Sequence, residues 1–212
     1  MYKRQIATIV TLDVKNSTGK PLTSFTGSML CTHFGISGPV ALDISRYYLA
    51  ARMDDPTCEV YANWLPDETS DALEARVLRA GRTPLTRIFS GALPDRLLRL
   101  LCASVNVEPG IPADQLPRDT RKAFVRALTA YPLPITGDRG FTYAEVTAGG
   151  VPLSEIHLDT MESRVCPGLH LCGEILDVDG RIGGFNFQWA WASGFVAGTA
   201  AAKLLKISSD SR

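Results

Sequence analysis

The chain has 212 residues, of which 45% are hydrophobic and 21% charged, so it holds apolar material for one large domain or two to three small ones. Its 22 basic and 22 acidic residues cancel to a formal charge of zero, which removes the general electrostatic case for nucleic acid or an anionic membrane as the main partner. Cys31, Cys58, Cys102, Cys166 and Cys172 are odd in number and form no Cys-x-x-Cys, so free and mostly buried thiols in a reducing cytoplasm are expected, with a redox pair of Cys166 and Cys172 as the competing reading.

The first five residues, Met-Tyr-Lys-Arg-Gln, read as the translation of a sequencing-library transposon end, and an ordinary basic strand start is the other reading. Residues 6–14 are β-branched and partly alternating, which predicts a strand. A turn at Asn16-Ser-Thr-Gly and a second strand over residues 22–31 follow. Glycines 35 and 38 break the pattern, and Pro39 suits the first position of a helix. Residues 58–65 read as another strand.

The periodicity then changes to that of helices. Asp71-Ala-Leu-Glu resembles a capping box, with Leu73, Val77 and Leu78 on one face and Gly81 as the stop. Short helices are expected over residues 84–90 and 94–104, the latter with Leu97, Leu98, Leu101 and Cys102 inward. Another covers residues 119–130, with Phe124, Val125 and Leu128 inward. After Pro134 the β signal returns at residues 135–136 and 141–147. Residues 151–156 are extended, and residues 169–172 form a compact apolar strand. The last helix spans about residues 186–205. Asn186, Gln188, Ser193 and Thr199 interrupt its apolar run, so it is a buried helix rather than a membrane span.

The most informative segment is Gly-Leu-His-Leu-Cys-Gly-Glu-Ile-Leu-Asp-Val-Asp-Gly-Arg-Ile-Gly-Gly-Phe-Asn-Phe-Gln, residues 168–188. An apolar strand runs into glycines and then into a helix. Glycine lets backbone approach a ligand closely, and a helix start offers unpaired N–H groups at the positive end of its dipole. Asp177 and Asp179 can bond hydroxyls, and Asn186 can cap the helix or bond the edge of an amide-like ring. Glu174 has two readings, a ligand hydroxyl partner or the closure of a turn. A strand-loop-helix with a calcium-like or purely structural acidic loop is the other reading of the whole segment.

This segment, continued through Ala190, Ser193, Gly194, Ala197 and Gly198, resembles the C-terminal signature of the BaiN-like flavoproteins, the NAD(P)/FAD-dependent oxidoreductases that include aminoacetone oxidases. Thr-His-Phe-Gly-Ile-Ser-Gly-Pro at residues 32–39 resembles a turn of that family. Val-Thr-Ala-Gly-Gly-Val at residues 146–151, with Glu155-Ile and Thr160-Met-Glu-Ser after it, resembles its return segment. The resemblance spans residues 6–206. It implies an α+β architecture: an inserted β-barrel-like domain (residues 1–65 and 134–147), a small helical insert (66–133), and the C-terminal strand-helix part of a Rossmann-like FAD-binding domain (148–212). It implies FAD as cofactor, with NAD(P)H as electron donor, and a small-molecule substrate; the balanced charge argues for neither nucleic acid nor membrane as partner. It also implies cofactor contacts at Gly149, Gly150, Gly173, Glu174, Asp177, Asp179, Gly180, Gly183, Gly184, Phe185, Asn186 and Gln188.

The sequence departs from the family pattern in one large respect. No Gly-x-Gly-x-x-Gly, the loop that holds the FAD pyrophosphate on a first helix, occurs in the 212 residues, nor the ribose-binding acid after it. The chain is therefore expected to lack its own N-terminal half. Cys172 also stands where the family commonly has Ala, and Cys31 where it often has Phe. His33 is read either as a substrate contact or as a structural histidine, and Ser37 as a second substrate contact. His33, His157 and His170 share no metal-ligand spacing with the cysteines, so no metal is expected. Ser37 and Ser154 lack a Ser-His-Asp setting. No catalytic acid or base stands out, which flavin chemistry tolerates because the cofactor carries the hydride. A non-enzymatic barrel and helical binding module is the competing reading of the chain.

Overall fold

A computed structural model describes residues 6–210. The reading of residues 1–5 as foreign lies outside the described residues. The chain divides into two compact units at Gly137 and Asp138.

The first unit is built on an antiparallel hairpin. Strand β1 (Ile6–Lys15) pairs with β2 (Pro21–Cys31) from Ile6 opposite Cys31 to a bulge at Val14 and Lys15. Val10, Leu12 and Val14 alternate inward and are fully buried, as a period of two requires. Asn16 makes the turn: its Oδ1 accepts from Thr18 N at 3.2 Å and Lys20 N at 2.9 Å, and Gly19 takes φ +79°. Strand β3 (Ile36–Ser37) lies beside β2, β4 (Glu59–Asn63) beside β1, and β5 (Tyr131–Leu133) beside β4. The order β3-β2-β1-β4-β5 leaves two edges, so among the described residues the sheet is open where a barrel-like one is expected.

Helix α1 (Pro39–Asp54) begins on Pro39 and buries Val40, Ala41, Ile44 and Tyr48. Between β4 and β5 come α2 (Ser70–Arg79), α3 (Leu85–Ile88), α4 (Asp95–Ser104) and α5 (Arg118–Thr129). The inward residues of α4 and α5 are those the periodicity predicts. One continuous core joins them to the sheet, running from Val10 and Leu12 to Phe89, Leu101, Phe124 and Leu128. Phe89 and Phe124 meet edge to face at 5.8 Å.

Four expectations are corrected here. The cap of α2 is Thr69, whose hydroxyl accepts from Ala72 N at 3.2 Å, because Ser70 and Asp71 suit the first turn and start the helix before the supposed box. Leu78 faces solvent at 59% exposure, while Leu73 and Val77 are buried. The returning strand is β5, not residues 135–136 and 141–147. Residues 141–143 form a 3₁₀ turn with Phe141 86% exposed, since no neighbouring strand offers them a ladder. The cysteines are free, but only Cys58 and Cys102 are buried, while Cys166 and Cys172 are exposed. Burial pushes the Cys102 thiol up to about 11.

The second unit has a smaller core of Ile156, Met161, Leu176 and Ala197, flanked by Val151, Leu171, Val178 and Trp189. Strands β6 (Ile156–His157) and β7 (Glu162–Ser163) form a short ribbon, with Met161 at φ 57° in its turn. Residues 169–172 do not form the expected strand. They make a single bridge at His170, with Ser163 N donating to Leu169 O and Leu171 N to Met161 O, because the two-residue β7 is the edge beside them. Helix α6 (Phe185–Asp210) ends the described chain, and it is not the buried helix expected: Ser193 and Ala197 are buried, while Phe187, Trp191 and Phe195 are exposed, because the small core of this unit covers one side of it. Among the described residues no helix is long and apolar enough to cross a membrane.

Candidate functional site

Two glycine segments of the second unit meet. Val151 N donates to Ile175 O at 2.8 Å and Asp177 N to Val151 O at 2.9 Å, a parallel bridge between Val151 and Leu176. Gly150 takes φ +131°, and a Cβ there would meet Ile175 O at 2.5 Å and Asp177 N at 3.1 Å. Only glycine permits this approach. Gly149, at φ +99°, has open space around it, and its N–H donates to Asp177 Oδ1 at 3.1 Å. Thr147 N and Oγ1 both donate to Glu174 Oε1, at 3.2 and 3.3 Å. Asp177 and Glu174 thus close the turn, each using one carboxylate oxygen. That favours the turn-closing reading of Glu174.

Residues 173–175 form a 3₁₀ turn tied to α6 from both sides. Gly173 N donates to Ser193 Oγ at 3.0 Å, and Trp189 Nε1 donates to Gly173 O at 3.1 Å. Ser193 Oγ in turn donates to Trp189 O at 2.6 Å. Trp189 is therefore packed and bonded, while Trp191 is 70% exposed, the division that helix geometry demands. The hydrogen bonds of Trp189 and Ser193 are a feature that periodicity does not reveal.

The chain then runs through Asp179 and Gly180 to Gly183 and Gly184, at φ +127° and +90°, and α6 begins at Phe185. The expected loop into a helix start is thus present. Gly180 is fixed by crowding, since a Cβ there would meet the Phe185 Cβ at 2.9 Å. Gln188 N donates to Gly184 O at 3.0 Å and closes the first turn, which carries no acidic residue. The earlier N–H groups have no intrahelical acceptor. Open space above Gly184 and Gly149 leaves backbone accessible where a ligand edge would bond. This donor set, backbone N–H groups at a helix start whose first turn carries no acidic residue, fits an electron-rich group such as a flavin carbonyl or a phosphate.

His33 and Ser37 belong to the first unit. Thr32 Oγ1 and N both bond Gly35 O, at 2.9 and 2.8 Å, and close the loop. His33 is exposed at its tip, edge to face with Phe34 at 5.0 Å. Ser37 is half-buried in β3. Gly38, at φ +92°, lets the loop press on β2, since a Cβ would lie 2.9 Å from Ser28 O. Among the described residues no three His, Cys, Asp or Glu side chains are placed to hold a metal ion.

The HI0933-like protein Rossmann domain matches residues 7–200. The 3-dehydro-bile acid delta(4,6)-reductase of Clostridium scindens is 36% identical over 182 residues, 84% of this chain and 44% of that protein. Two proteins named ribosomal RNA dihydrouridine synthase are also similar. That of Escherichia coli is 37% identical over 173 residues and that of Haemophilus influenzae 36% over 181, each covering 81% of this chain and 41% of the relative. The chain belongs to the HI0933-like family of Rossmann-type flavoproteins, the BaiN-like oxidoreductases. It spans less than half the length of the curated relatives it matches. Paired strands are antiparallel among the described residues, with parallel pairing confined to the bridges Ser90–Leu93 and Val151–Leu176.

Proposed function

We propose that these residues supply one side of the FAD site of a flavin-dependent reductase. The observation that carries this is the junction of residues 147–151 with residues 173–177, leading through Gly183 and Gly184 into an α6 start free of acidic residues. Bound there, FAD would supply two-electron hydride transfer to a substrate, with NAD(P)H as its donor. The backbone N–H groups at the start of α6 hold an electron-rich edge of the cofactor, and Asn186 and Gln188 orient it. Asp177 and Glu174 keep the loop in place through Gly149 and Thr147. Asp179 lies on the loop where a ribityl or ribose hydroxyl would bond. His33 and Ser37 are proposed substrate contacts.

A Gly-x-Gly-x-x-Gly pyrophosphate loop is not among the 212 residues, so in this reading it comes from other parts of the family fold. The five free thiols suit a reducing cytoplasm. The activities in the relatives' names, a delta(4,6)-reductase and a dihydrouridine synthase, both place hydrogen on an unsaturated bond, which suits a flavin hydride donor. The substrate proposed is accordingly an unsaturated organic group, and ribosomal RNA is one carrier of it.

The test is Asn186→Ala in a chain of the relatives' full length that contains these residues. Loss of one hydrogen bond to the cofactor, about 1–1.5 kcal/mol, raises the FAD dissociation constant about tenfold with the thermal midpoint little changed. Unchanged FAD affinity would remove Asn186 from the site.

A further inference from the structure

We infer that the solvent face of α5 is a docking surface for the phosphate backbone of RNA. The zero net charge of the chain hides a local segregation. Helix α5 carries Arg118, Arg121, Lys122 and Arg126 against one carboxylate, Asp119. Its inner side is fixed by buried Phe124, Val125, Ala127 and Leu128, and by Arg121, whose Nε lies 3.1 Å from Glu74 on α2. Arg118, Lys122 and Arg126 are all exposed. Their i, i+4, i+8 spacing makes one row with a step of about 6 Å along the axis.

Among the described residues the ion pairs of this region are Arg76 with Glu68, Arg99 with Asp95, and Arg121 with Glu74, and none uses the row. Like charges four apart on a helix repel, so the row is unfavourable to α5 itself, and Asp119, three residues before Lys122, offsets it only in part. Two more cations extend it. Ser70 Oγ meets Thr129 Oγ1 at 3.4 Å, and Glu74 meets Arg121, so α2 runs antiparallel to α5. The end of α2, with exposed Arg79, thus lies by the start of α5. Asp114 N donates to Gly81 O at 2.9 Å and holds exposed Arg82 near that end too. Exposed carboxylates near this patch are Asp114 and Asp119, with Asp71 on α2 one turn before Glu74.

The chemistry selects a polyanion over a lipid surface. A membrane-surface helix exposes large apolar side chains beside its cations, whereas those of α5 are buried in the core. A bare row of Arg and Lys instead matches a chain of phosphates, whose binding grows with each counterion released. The proposal rests on the reductase reading only for what happens to the RNA once docked.

The test is a fluorescence-anisotropy titration of a labelled ribosomal RNA hairpin with the 212-residue chain, without FAD, over a range of salt. The Arg118→Gln, Lys122→Gln, Arg126→Gln triple variant should bind at least ten times more weakly. The slope of log affinity against log salt should become shallower by about 2–3, the release expected for three lost contacts. Arg96→Gln with Arg99→Gln on α4 should change neither, and Lys122→Glu alone should weaken binding in the same direction. Circular dichroism should stay unchanged. The proposal is overturned by wild-type chain that ignores the hairpin at low salt, or by a triple variant with unchanged slope. Binding to phosphatidylserine vesicles but not RNA, through the same three residues, overturns it equally. Failure here leaves FAD binding untouched, and loss of FAD binding leaves this titration readable.

Discussion

Gly149 and Gly150 are neighbours with different reasons to be glycine. Both hold positive φ, which costs a non-glycine residue about 1–3 kcal/mol. Gly150 alone is also pressed against the backbone of residues 175–177. Gly150→Ala should therefore cost clearly more stability than Gly149→Ala, measured by urea unfolding of the two variants. Equal costs would show that the 147–151 and 173–177 segments do not lie as close as described. Asp177 belongs to the same contact, since it holds Gly149 N. The family resemblance puts these residues on a ligand, and the structure first gives them to each other.

The joint between the 3₁₀ turn at residues 173–175 and α6 depends on one hydroxyl. Ser193 is 2% exposed, and its Oγ takes Gly173 N while donating to Trp189 O. Ser193→Ala leaves the Gly173 amide without its acceptor and should cost about 1–3 kcal/mol. Hydrogen exchange at Gly173 should accelerate, and an unchanged rate would mean that the bond does not hold the turn. Elements with their own periodicity were legible from the amino acids: the β1–β2 hairpin through Val10, Leu12 and Val14, and α4 and α5 through their apolar stripes. Elements that need a distant partner were not. Residues 141–147 and 169–172 have strand-like side chains, yet a strand is made by its ladder, and these segments have at most one bridge. The cap of α2 was missed for a local reason, because Thr69 and Asp71 both suit a helix start and the hydroxyl that reaches Ala72 N decides between them.

At the scale of the molecule, the candidate site was legible as a motif before its geometry was known. The order of glycines, acids and helix start in residues 168–188 is compact in sequence, so no long-range folding information was needed to find it. Contacts of residues 147–151 with it, some 27 residues away, were beyond periodicity. The second unit also leaves Phe187, Trp191 and Phe195 exposed along one side of α6, at 61%, 70% and 76%. Faces of this kind are covered in stable assemblies.

In the proposed reading these residues make one side of a flavin site and not the whole of it. Charge-assisted bonds to phosphate are worth about 1.5–3 kcal/mol each, and each 1.4 kcal/mol is about tenfold in affinity. A chain without the pyrophosphate loop should therefore hold FAD weaker by at least about two orders of magnitude. The measurement is an FAD titration, followed by flavin fluorescence, of the 212-residue chain and of a full-family-length chain that contains it. Tight binding and a yellow protein are expected for the longer chain, and weak binding for the shorter. Submicromolar affinity in the 212-residue chain, or no FAD binding by the longer one, would contradict it.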